Sequence, residues 1–106
     1  MINRKQKTQK CLKYSFFIGS NNESHKTESE KAIKVLKRFS VMGYSIIENI
    51  KGFWDNTAED SFKMEVIATA ENPFNDMKAR AIKKALEQDL KQYLVLTERT
   101  EATILI

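Results

Sequence analysis

The sequence predicts one α+β domain whose elements follow the order β-α-β-β-α-β. Two kinds of segment predict it: runs in which apolar residues alternate with polar ones, and two amphipathic helices of similar length. At 106 residues, with 42% hydrophobic and 30% charged residues, the chain has the size and composition of a single globular domain. We place the domain at residues 12–106 and expect residues 1–11 to form a basic, flexible tail.

The N-terminal half of the chain predicts a strand followed by a helix. Apolar residues alternate along residues 12–18, and the turn-forming residues 19–22 end that strand. Thr27 opens a Thr-Glu-Ser-Glu sequence, which is the pattern of a capping box at the start of a helix. Gly43 stands where a helix of this length is expected to end in a left-handed residue. The apolar stripe of this helix is Ala32, Val35, Leu36, Phe39 and Met42.

The middle of the chain predicts a hairpin and a second helix. Residues 44–54 are rich in β-branched and aromatic side chains, and Gly52 is expected to mark a bulge or a bend. Residues 61–69 alternate cleanly, so the polar residues 55–60 are expected to form the loop of a hairpin. The second helix is expected to begin within residues 71–76, where Asn and Pro occupy N-terminal positions.

The C-terminal residues 93–106 complete the element order with a fourth strand. We expect one long or bent strand, with a terminal hairpin as the alternative, because apolar residues keep one parity across a polar middle. Two amphipathic helices in this order predict a ferredoxin-like fold, in which a four-stranded antiparallel sheet carries both helices on one face. Right-handed crossovers then place the first and third strands at the centre of the sheet.

Residue types that carry chemistry are scarce, so the sequence predicts no catalytic residue, no metal site and no cofactor. Cys11 is the only cysteine and His25 the only histidine, which excludes an intramolecular disulfide and a tetrahedral metal set. Glu48 and Glu65 lie on adjacent predicted strands, where a cross-strand charge pattern is more common than acid–base chemistry. We therefore expect that the protein is not an enzyme. No apolar run is long enough to span a membrane, and we expect the protein to be cytoplasmic.

The outer face of the sheet, opposite the helices, is the predicted protein-binding surface. If Phe16 points into the core, alternation places several apolar side chains on that outer face. They are Phe17, Ile47, Phe53, Ile67 and Val95, and Trp54 is expected to anchor an interface beside them. An uncovered apolar face usually marks an interaction surface, for a partner protein or for a second copy in a homodimer.

The net charge of +4 comes from the N-terminal residues, because residues 1–13 hold five basic side chains and no acidic one. This tail and the outer faces of both helices give an alternative nucleic-acid-binding set. The set is Arg4, Lys5, Lys7, Lys10, Lys13, Lys34, Arg38, Lys83 and Lys84. Residues 16–21 also resemble the first-strand motif of RNA-recognition domains, where Phe17 would stack on a base. The third strand, residues 61–66, lacks the outward aromatic residues of that family.

The chain also resembles a family of small stand-alone βαββαβ proteins from phages and Gram-positive mobile elements. The resemblance rests on an Ile-Gly-x-Asn strand end at residues 18–21, the capped helix, Gly43 and the Lys-Gly pair at residues 51–52. It implies a non-catalytic module that binds and blocks a host or defence protein, such as a CRISPR effector, in the manner of an anti-CRISPR inhibitor. The alternatives are nucleic-acid binding and a small-molecule sensor that holds its ligand at a dimer interface.

Overall fold

The computed structural model describes residues 7–24 and 26–106, and of Trp54 it describes the backbone alone. Within these residues the elements follow the predicted order. They are β1 (Thr8–Ile18), α1 (Ser29–Arg38), β2 (Ser45–Trp54), β3 (Thr57–Ala68), α2 (Asp76–Asp89) and β4 (Leu96–Leu105). The strands form a four-stranded sheet in the order β2-β3-β1-β4 with antiparallel pairing throughout, so the predicted central position of β1 and β3 is confirmed. The C-terminal segment forms a single strand, as predicted.

The hydrophobic core lies between the sheet and the two helices. Alternate residues of the central strands point into it, among them Phe16 of β1 and Met64 of β3, which are fully buried. The helices contribute Ala32, Val35 and Leu36 from α1 and Ala79, Ile82, Ala85 and Leu86 from α2. Because all of these residues belong to one cluster, both helices cover the same face of the sheet. This arrangement confirms the predicted ferredoxin-like α+β fold.

The first strand starts earlier than predicted. β1 begins at Thr8, and residues 8–11 pair with β4, from Thr8 opposite Leu105 to Cys11 opposite Ala102. The predicted boundary between tail and domain at residue 12 is therefore wrong for residues 8–11, which belong to the sheet. Alternation from Leu12 marks only the part of β1 that lies beneath the helices, whereas residues 8–11 pair with β4 beyond the end of β3. Arg4 and Lys5 of the predicted tail lie outside the described residues.

A bulge in β2 changes which of its side chains share a face. Ile47 pairs with Lys63 and Ile50 pairs with Ser61, so two residues of β2 stand opposite one residue of β3. Asn49 within the bulge has a φ of 60°. Since one extra residue reverses the parity of the strand beyond it, side chains after the bulge lie on the faces opposite to those that simple alternation predicts.

Phe53 is the prediction that this bulge overturns. It pairs with Ala58, which shares the parity of the buried residues of β3, so Phe53 lies on the helix side of the sheet's plane rather than beside Ile47. The hairpin extends past the helices at this point, and Phe53 remains 70% exposed. Gly52 does not mark the bulge, because it pairs regularly with Glu59.

The hairpin that joins β2 to β3 is tighter than predicted. Trp54 pairs with Thr57, which leaves only Asp55 and Asn56 in the turn, with φ angles of 48° and 61°. Two consecutive residues with positive φ are typical of a type I′ turn, which suits the twist of a hairpin and favours Asp and Asn. Residues 57–60, predicted as part of a six-residue loop, are therefore part of β3.

The start of α1 differs from the predicted capping box. Glu28 is the N-cap residue, and no side chain caps the helix. The Glu28 carboxylate is already bound, because it accepts a hydrogen bond from the Asn21 side chain and forms an ion pair with Lys31 at 2.7 Å. The preceding loop therefore sets the start of the helix one residue beyond Thr27, and the predicted role of Thr27 as the cap is wrong.

The end of α1 also differs from the prediction. Ser40, not Gly43, is the left-handed residue, with a φ of 58°. The Val41 N–H donates to the Leu36 carbonyl at 3.0 Å and the Ser40 N–H to the Lys37 carbonyl at 3.0 Å, which together form a Schellman motif. The buried Val41 completes the motif with an apolar contact, so the left-handed residue lies three positions before the glycine.

Candidate functional site

Tyr14 brings a polar group to the edge of the hydrophobic core. Its ring is buried because it shares the inward parity of β1 with Phe16. A buried tyrosine normally finds a partner for its hydroxyl. Here the Tyr14 hydroxyl donates to Asp76 Oδ1 at 2.7 Å. The contact joins the central strand to the first residue of α2.

Asp76 also binds a cation from the edge strand. Its second oxygen, Oδ2, accepts a hydrogen bond from Arg99 Nη1, and the two groups form an ion pair. Arg99 lies directly opposite Tyr14 in the pairing of β1 with β4, so the sheet register brings both side chains to the same carboxylate. The N-cap of α2 fixes Asp76 in turn, because the Asn75 side chain accepts a hydrogen bond from the Lys78 N–H at 2.8 Å.

The electrostatics of these three residues follow from their contacts. Burial raises the pKa of Tyr14, and the hydrogen bond and negative charge of Asp76 raise it further. The hydrogen bond from Tyr14 lowers the pKa of Asp76, and Arg99 and Arg80 lower it further. Asp76 raises the pKa of Arg99. At neutral pH the site therefore holds a neutral tyrosine, a carboxylate and a guanidinium.

A cleft of about 380 Å³ opens over this triad, between α2 and β4. Its lining is Tyr14, Asp76, Ala79, Arg80, Lys83, Thr97, Glu98 and Arg99. This volume lies within the range of roughly 300–1,000 Å³ that is typical of small-molecule sites. A second recess beside Thr27 and Glu48 has about 170 Å³, which is below that range. We therefore take the α2–β4 cleft as the candidate site.

The sequence did not identify this cleft. Tyr14 on β1 lies 62 positions before Asp76 on α2, and Asp76 lies 23 positions before Arg99 on β4, so no short motif connects them. One signal was present, since Tyr14 holds an inward position of a strand and its hydroxyl there requires a polar partner. The identity of that partner depends on the sheet register, which local patterns do not fix.

The predicted protein-binding residues are only partly brought together. Phe17, Ile47 and Ile67 share the outer face, and the latter two are about two-fifths exposed, at 38% and 40%. Charged groups stand among them: Lys63 lies 5.6 Å from the centre of the Phe17 ring, and Glu65 forms ion pairs with Lys63 and Lys13. The outer face is therefore mixed rather than continuously apolar.

The remaining members of that set lie elsewhere. Val95, predicted to point outward, is fully buried in the core, because it precedes β4 and its N–H donates to the Glu87 carboxylate at 2.9 Å. Phe53 lies beyond the bulge, as described above. The Trp54 side chain lies outside the described part of the structure.

The predicted nucleic-acid-binding residues do not form one surface within the described residues. Lys13 lies on the outer face of the sheet, whereas Lys83 lines the cleft on the helix side. Three members are bound in ion pairs: Lys13 with Glu65, Arg38 with Asp89, and Lys83 with Glu87. The described members outside these ion pairs are exposed: Lys7, Lys10, Lys34 and Lys84.

The residues with metal-binding or nucleophilic character do not gather. Cys11 is buried with its Sγ 3.6 Å from the Ala102 carbonyl oxygen, and His25 lies outside the described residues. Across residues 7–24 and 26–106 there is no group of three or more His, Cys, Asp or Glu side chains placed to hold a metal ion. No helix in this described part is both long and apolar enough to cross a membrane.

Two kinds of protein are among the solved structures that share the fold. No protein-family model matches the chain, and no curated protein matches it. A phage S-adenosylmethionine (SAM) lyase in the apo state matches with a TM-score of 0.71 and 21% identity, over 92% of this chain and 89% of the lyase. A nitrogen regulatory PII-like protein from Thiomonas intermedia K12 matches with a TM-score of 0.60 and 13% identity, over 94% and 97% of the two chains.

Both kinds of protein have been solved with adenosine-containing ligands. The phage lyase is also known in complex with S-methyl-5′-thioadenosine, with a TM-score of 0.67 to this chain, 17% identity, and coverage of 91% of this chain and 90% of the lyase. The Thiomonas protein is known with ADP and bicarbonate bound. At these identities the likeness shows the fold, and a small phage protein is among the structures that share it.

The comparison corrects the expectation that the protein is not an enzyme. That expectation rested on the absence of a nucleophile–base pair in the sequence, yet an enzyme shares this fold over nearly its whole length. The predictions of an anti-CRISPR-like inhibitor, of a defence-protein partner and of nucleic-acid binding are not tested by these structures and stay predictions.

Proposed function

We propose that the protein is an enzyme that acts on S-adenosylmethionine and releases S-methyl-5′-thioadenosine. The observation that carries the proposal is the backbone likeness to the phage SAM lyase, at a TM-score of 0.71 over 92% of the chain. The α2–β4 cleft supports it, because its volume of about 380 Å³ suits a small molecule. Its lining includes positively and negatively charged side chains. S-adenosylmethionine also carries both signs of charge, in its sulfonium, ammonium and carboxylate groups.

The chemistry of this substrate explains how an enzyme can lack a protein nucleophile. The sulfonium sulfur is positively charged, so it leaves as a neutral thioether and needs no proton from the protein. When the bond from sulfur to the γ-carbon breaks, the electron pair moves to sulfur and neutral S-methyl-5′-thioadenosine leaves. The substrate's own carboxylate oxygen can form the new bond to that carbon, which closes a lactone and balances the reaction. The protein then has only to hold the substrate in a folded conformation and exclude water.

The triad at the base of the cleft suits this positioning role. Asp76 is fixed by Tyr14 and Arg99 through its two oxygens, and its backbone is fixed by the cap of α2. Side chains whose geometry is set before the ligand arrives lose little entropy on binding. The triad therefore provides a rigid, partly charged wall against which a flexible substrate is held.

The test is to incubate the purified protein with S-adenosylmethionine and measure S-methyl-5′-thioadenosine by chromatography and mass spectrometry. Heat-denatured protein gives the background of spontaneous breakdown. We expect product above that background, and we expect Asp76→Asn to lower the rate by about tenfold or more, because Arg99 and Tyr14 lose their shared anchor. Arg38→Gln, on the exposed pair with Asp89 away from the cleft, is the matched control and should leave the rate unchanged. A rate equal to background in the intact protein contradicts the proposal.

A second candidate is a small-molecule sensor, which was one of the alternatives from the sequence. It is supported by the PII-like protein from Thiomonas intermedia K12, which is known with ADP, AMP and bicarbonate bound. The cations Arg80, Lys83 and Arg99 in the cleft also support it, because they suit anionic groups. Binding of ADP without turnover of S-adenosylmethionine favours the sensor, and turnover without ADP binding favours the lyase. Calorimetric titration with ADP, run beside the product assay, separates them.

A further inference from the structure

The two edges of the sheet differ in how they are protected against pairing with another strand. β2 forms one edge and is interrupted by the bulge at Asn49, after which it carries Lys51 and Gly52. β4 forms the other edge, and its ten residues pair with β1 in one unbroken register. Its sequence contains neither proline nor lysine, two residues that commonly protect an edge strand. β4 is therefore the edge that is open to a further strand.

The free backbone groups of β4 belong to alternate residues. The Ile106 N–H donates to the Lys7 carbonyl at 2.9 Å, and these two residues continue the register of β1 with β4. In an antiparallel ladder, residues that bond to one neighbouring strand alternate with residues whose N–H and C=O groups point away from it. Since Ile106 bonds to β1, the odd-numbered residues of β4 direct their backbone groups to the free edge. They are Thr97, Arg99, Glu101, Thr103 and Leu105.

Two copies of β4 can pair as antiparallel strands about a two-fold axis perpendicular to the sheet. The helices of both copies then lie on the same side, so residues opposite one another must share a parity. In the middle of the strand the axis can pass through Arg99, Thr100 or Glu101. An axis at Arg99 or at Glu101 sets like charges directly opposite each other, which is destabilising. Thr100 is the central position that avoids this repulsion.

An axis at Thr100 also sets complementary side chains opposite each other. Arg99 then lies opposite the partner's Glu101 on the helix side, and Leu96 lies opposite the partner's Ile104 on the outer face. Opposite charges and apolar side chains both stabilise cross-strand pairs, and the symmetry makes each pair occur twice. Glu101 is exposed and makes no ion pair with any described residue, and Leu96 is 59% exposed. We propose that a second copy of this chain pairs with β4 in this register and extends the sheet.

This pairing brings a residue of the second copy to the α2–β4 cleft. Arg99 lines the cleft and binds Asp76 through Nη1. A guanidinium has five N–H donors, so it can bind a second carboxylate beside the first. In the proposed register that second carboxylate is the partner's Glu101. The pairing needs neither a ligand nor turnover, so it stands or falls separately from the proposed activity.

Reversal of single charges tests the register. Glu101→Arg sets two arginines opposite each other and Arg99→Glu sets two glutamates opposite each other, so each variant should raise the dissociation constant of the dimer by about tenfold or more. A mixture of the two variants forms both opposite-charge pairs again, and we expect it to dimerise like the unmodified protein. Glu98→Arg is the matched control, because it makes the same charge change opposite the partner's Ala102, which is uncharged.

Sedimentation velocity of the whole protein, from about 10 μM to about 1 mM, gives the mass in solution and the dissociation constant. Far-UV circular dichroism shows whether each variant is folded. Arg99→Glu also loses the bond to Asp76, so a second measurement leaves both residues of the charge pair unchanged. It decides alone if Arg99→Glu does not fold.

The second measurement is a crosslink at the axis. Thr100 lies opposite its own copy at a pair without hydrogen bonds, where Cα atoms are about 4.5 Å apart, within the roughly 4.4–6.8 Å of disulfides. We expect Thr100→Cys to form a covalent dimer with oxidised glutathione as the oxidant. Glu98→Cys is the control, because its two copies lie four positions apart along the strands. Both variants also carry Cys11→Ala, so the introduced thiol is the only one in the chain.

A dimer that both charge reversals weaken and their mixture restores supports the proposal. Crosslinking of Thr100→Cys without crosslinking of Glu98→Cys supports it too. The proposal is overturned by a monomer across the whole concentration range, by an assembly other than a dimer, or by a dimer that Glu101→Arg weakens no more than Glu98→Arg does. Equal crosslinking of the two thiol variants also overturns it.

Discussion

The middle of the sheet and its ends differ in how strongly packing fixes them. In the middle, the helices cover the sheet, and Phe16 and Met64 are fully buried. At one end lies the outer hairpin (residues 50–61), where β2 and β3 pair only with each other beyond the end of β1. At the other end lies the terminal ribbon (residues 8–11 with 102–105), where β1 pairs only with β4. Phe53 in the hairpin and Leu105 in the ribbon are 70% and 77% exposed.

This difference shows where alternation is a reliable guide. A one-residue slip in the covered middle would turn a whole set of apolar side chains into solvent, so packing enforces the register there. The same slip in the outer hairpin would change the burial of few apolar side chains. The bulge of β2 lies just before this hairpin. Alternation accordingly predicted the outer-face positions of Phe17 and Ile67 in the middle and misplaced Phe53 at the end.

The largest effect we predict tests this difference with two phenylalanines. Phe16→Ala removes a fully buried ring and should lower the free energy of unfolding by about 3–5 kcal/mol. Phe53→Ala removes an exposed ring of the same size from the outer hairpin and should change it by no more than about 0.5 kcal/mol. Urea unfolding followed by circular dichroism measures both.

The pair of variants has a clear contrary result. If Phe53→Ala lowers the free energy of unfolding as much as Phe16→Ala does, the outer hairpin is packed against something in solution. The middle of the sheet and its ends would then not differ in packing. Concentration dependence of the unfolding midpoint would then show whether a second copy provides that packing.

Most of the fold was predictable because each element carries its own signal. Alternation in β1 and β3 and the apolar stripes of the two helices are local patterns, and the element order with right-handed crossovers then determines the topology. The bulge in β2 was not predictable, since Glu48 and Asn49 lie within the strand and only the pairing with β3 reveals the extra position. The candidate site was not predictable for the same reason, because the register of β1 against β4 sets Arg99 opposite Tyr14.

The helix starts offer a second contrast of this kind, with a smaller expected effect. Both starts have a residue type that favours capping, but only the Asn75 side chain accepts a backbone N–H. Asn75→Ala should therefore lower the free energy of unfolding by about 1 kcal/mol. Thr27→Ala, at the predicted but unused cap, should change it by less than about 0.5 kcal/mol. Thermal and urea unfolding of the two variants checks this, and a larger loss at Thr27 would restore the predicted capping box.

The smallest expected effect concerns pH and compares an ion pair at the cleft with one in the outer hairpin. The pKa of Asp76 is lowered in the folded protein, so its contribution to stability is present above the unfolded value of 3.8 and is lost as the pH falls through the lower folded value. The pKa of Tyr14 is raised, so its contribution is present below 10.0 and is lost as the pH rises through the higher folded value. Asp76→Asn should flatten the acid side of the stability profile, and Tyr14→Phe the alkaline side.

Asp60, which pairs with Lys51 in the outer hairpin at 2.9 Å, provides the matched control. Its side chain is 76% exposed, and exposed pairs contribute little because water and salt screen them, so Asp60→Asn should leave the profile almost unchanged.

The acid side will not become flat in Asp76→Asn. Burial alone would raise the pKa of Glu65 and Glu87, but Lys63 and Lys83 hold both low, so these carboxylates also lose stability in acid. Urea midpoints from pH 2 to 11 give the profiles. Equal flattening by Asp60→Asn and Asp76→Asn would mean that the cleft carboxylate is no better fixed than one in the hairpin, and that the triad is not a rigid wall for a ligand.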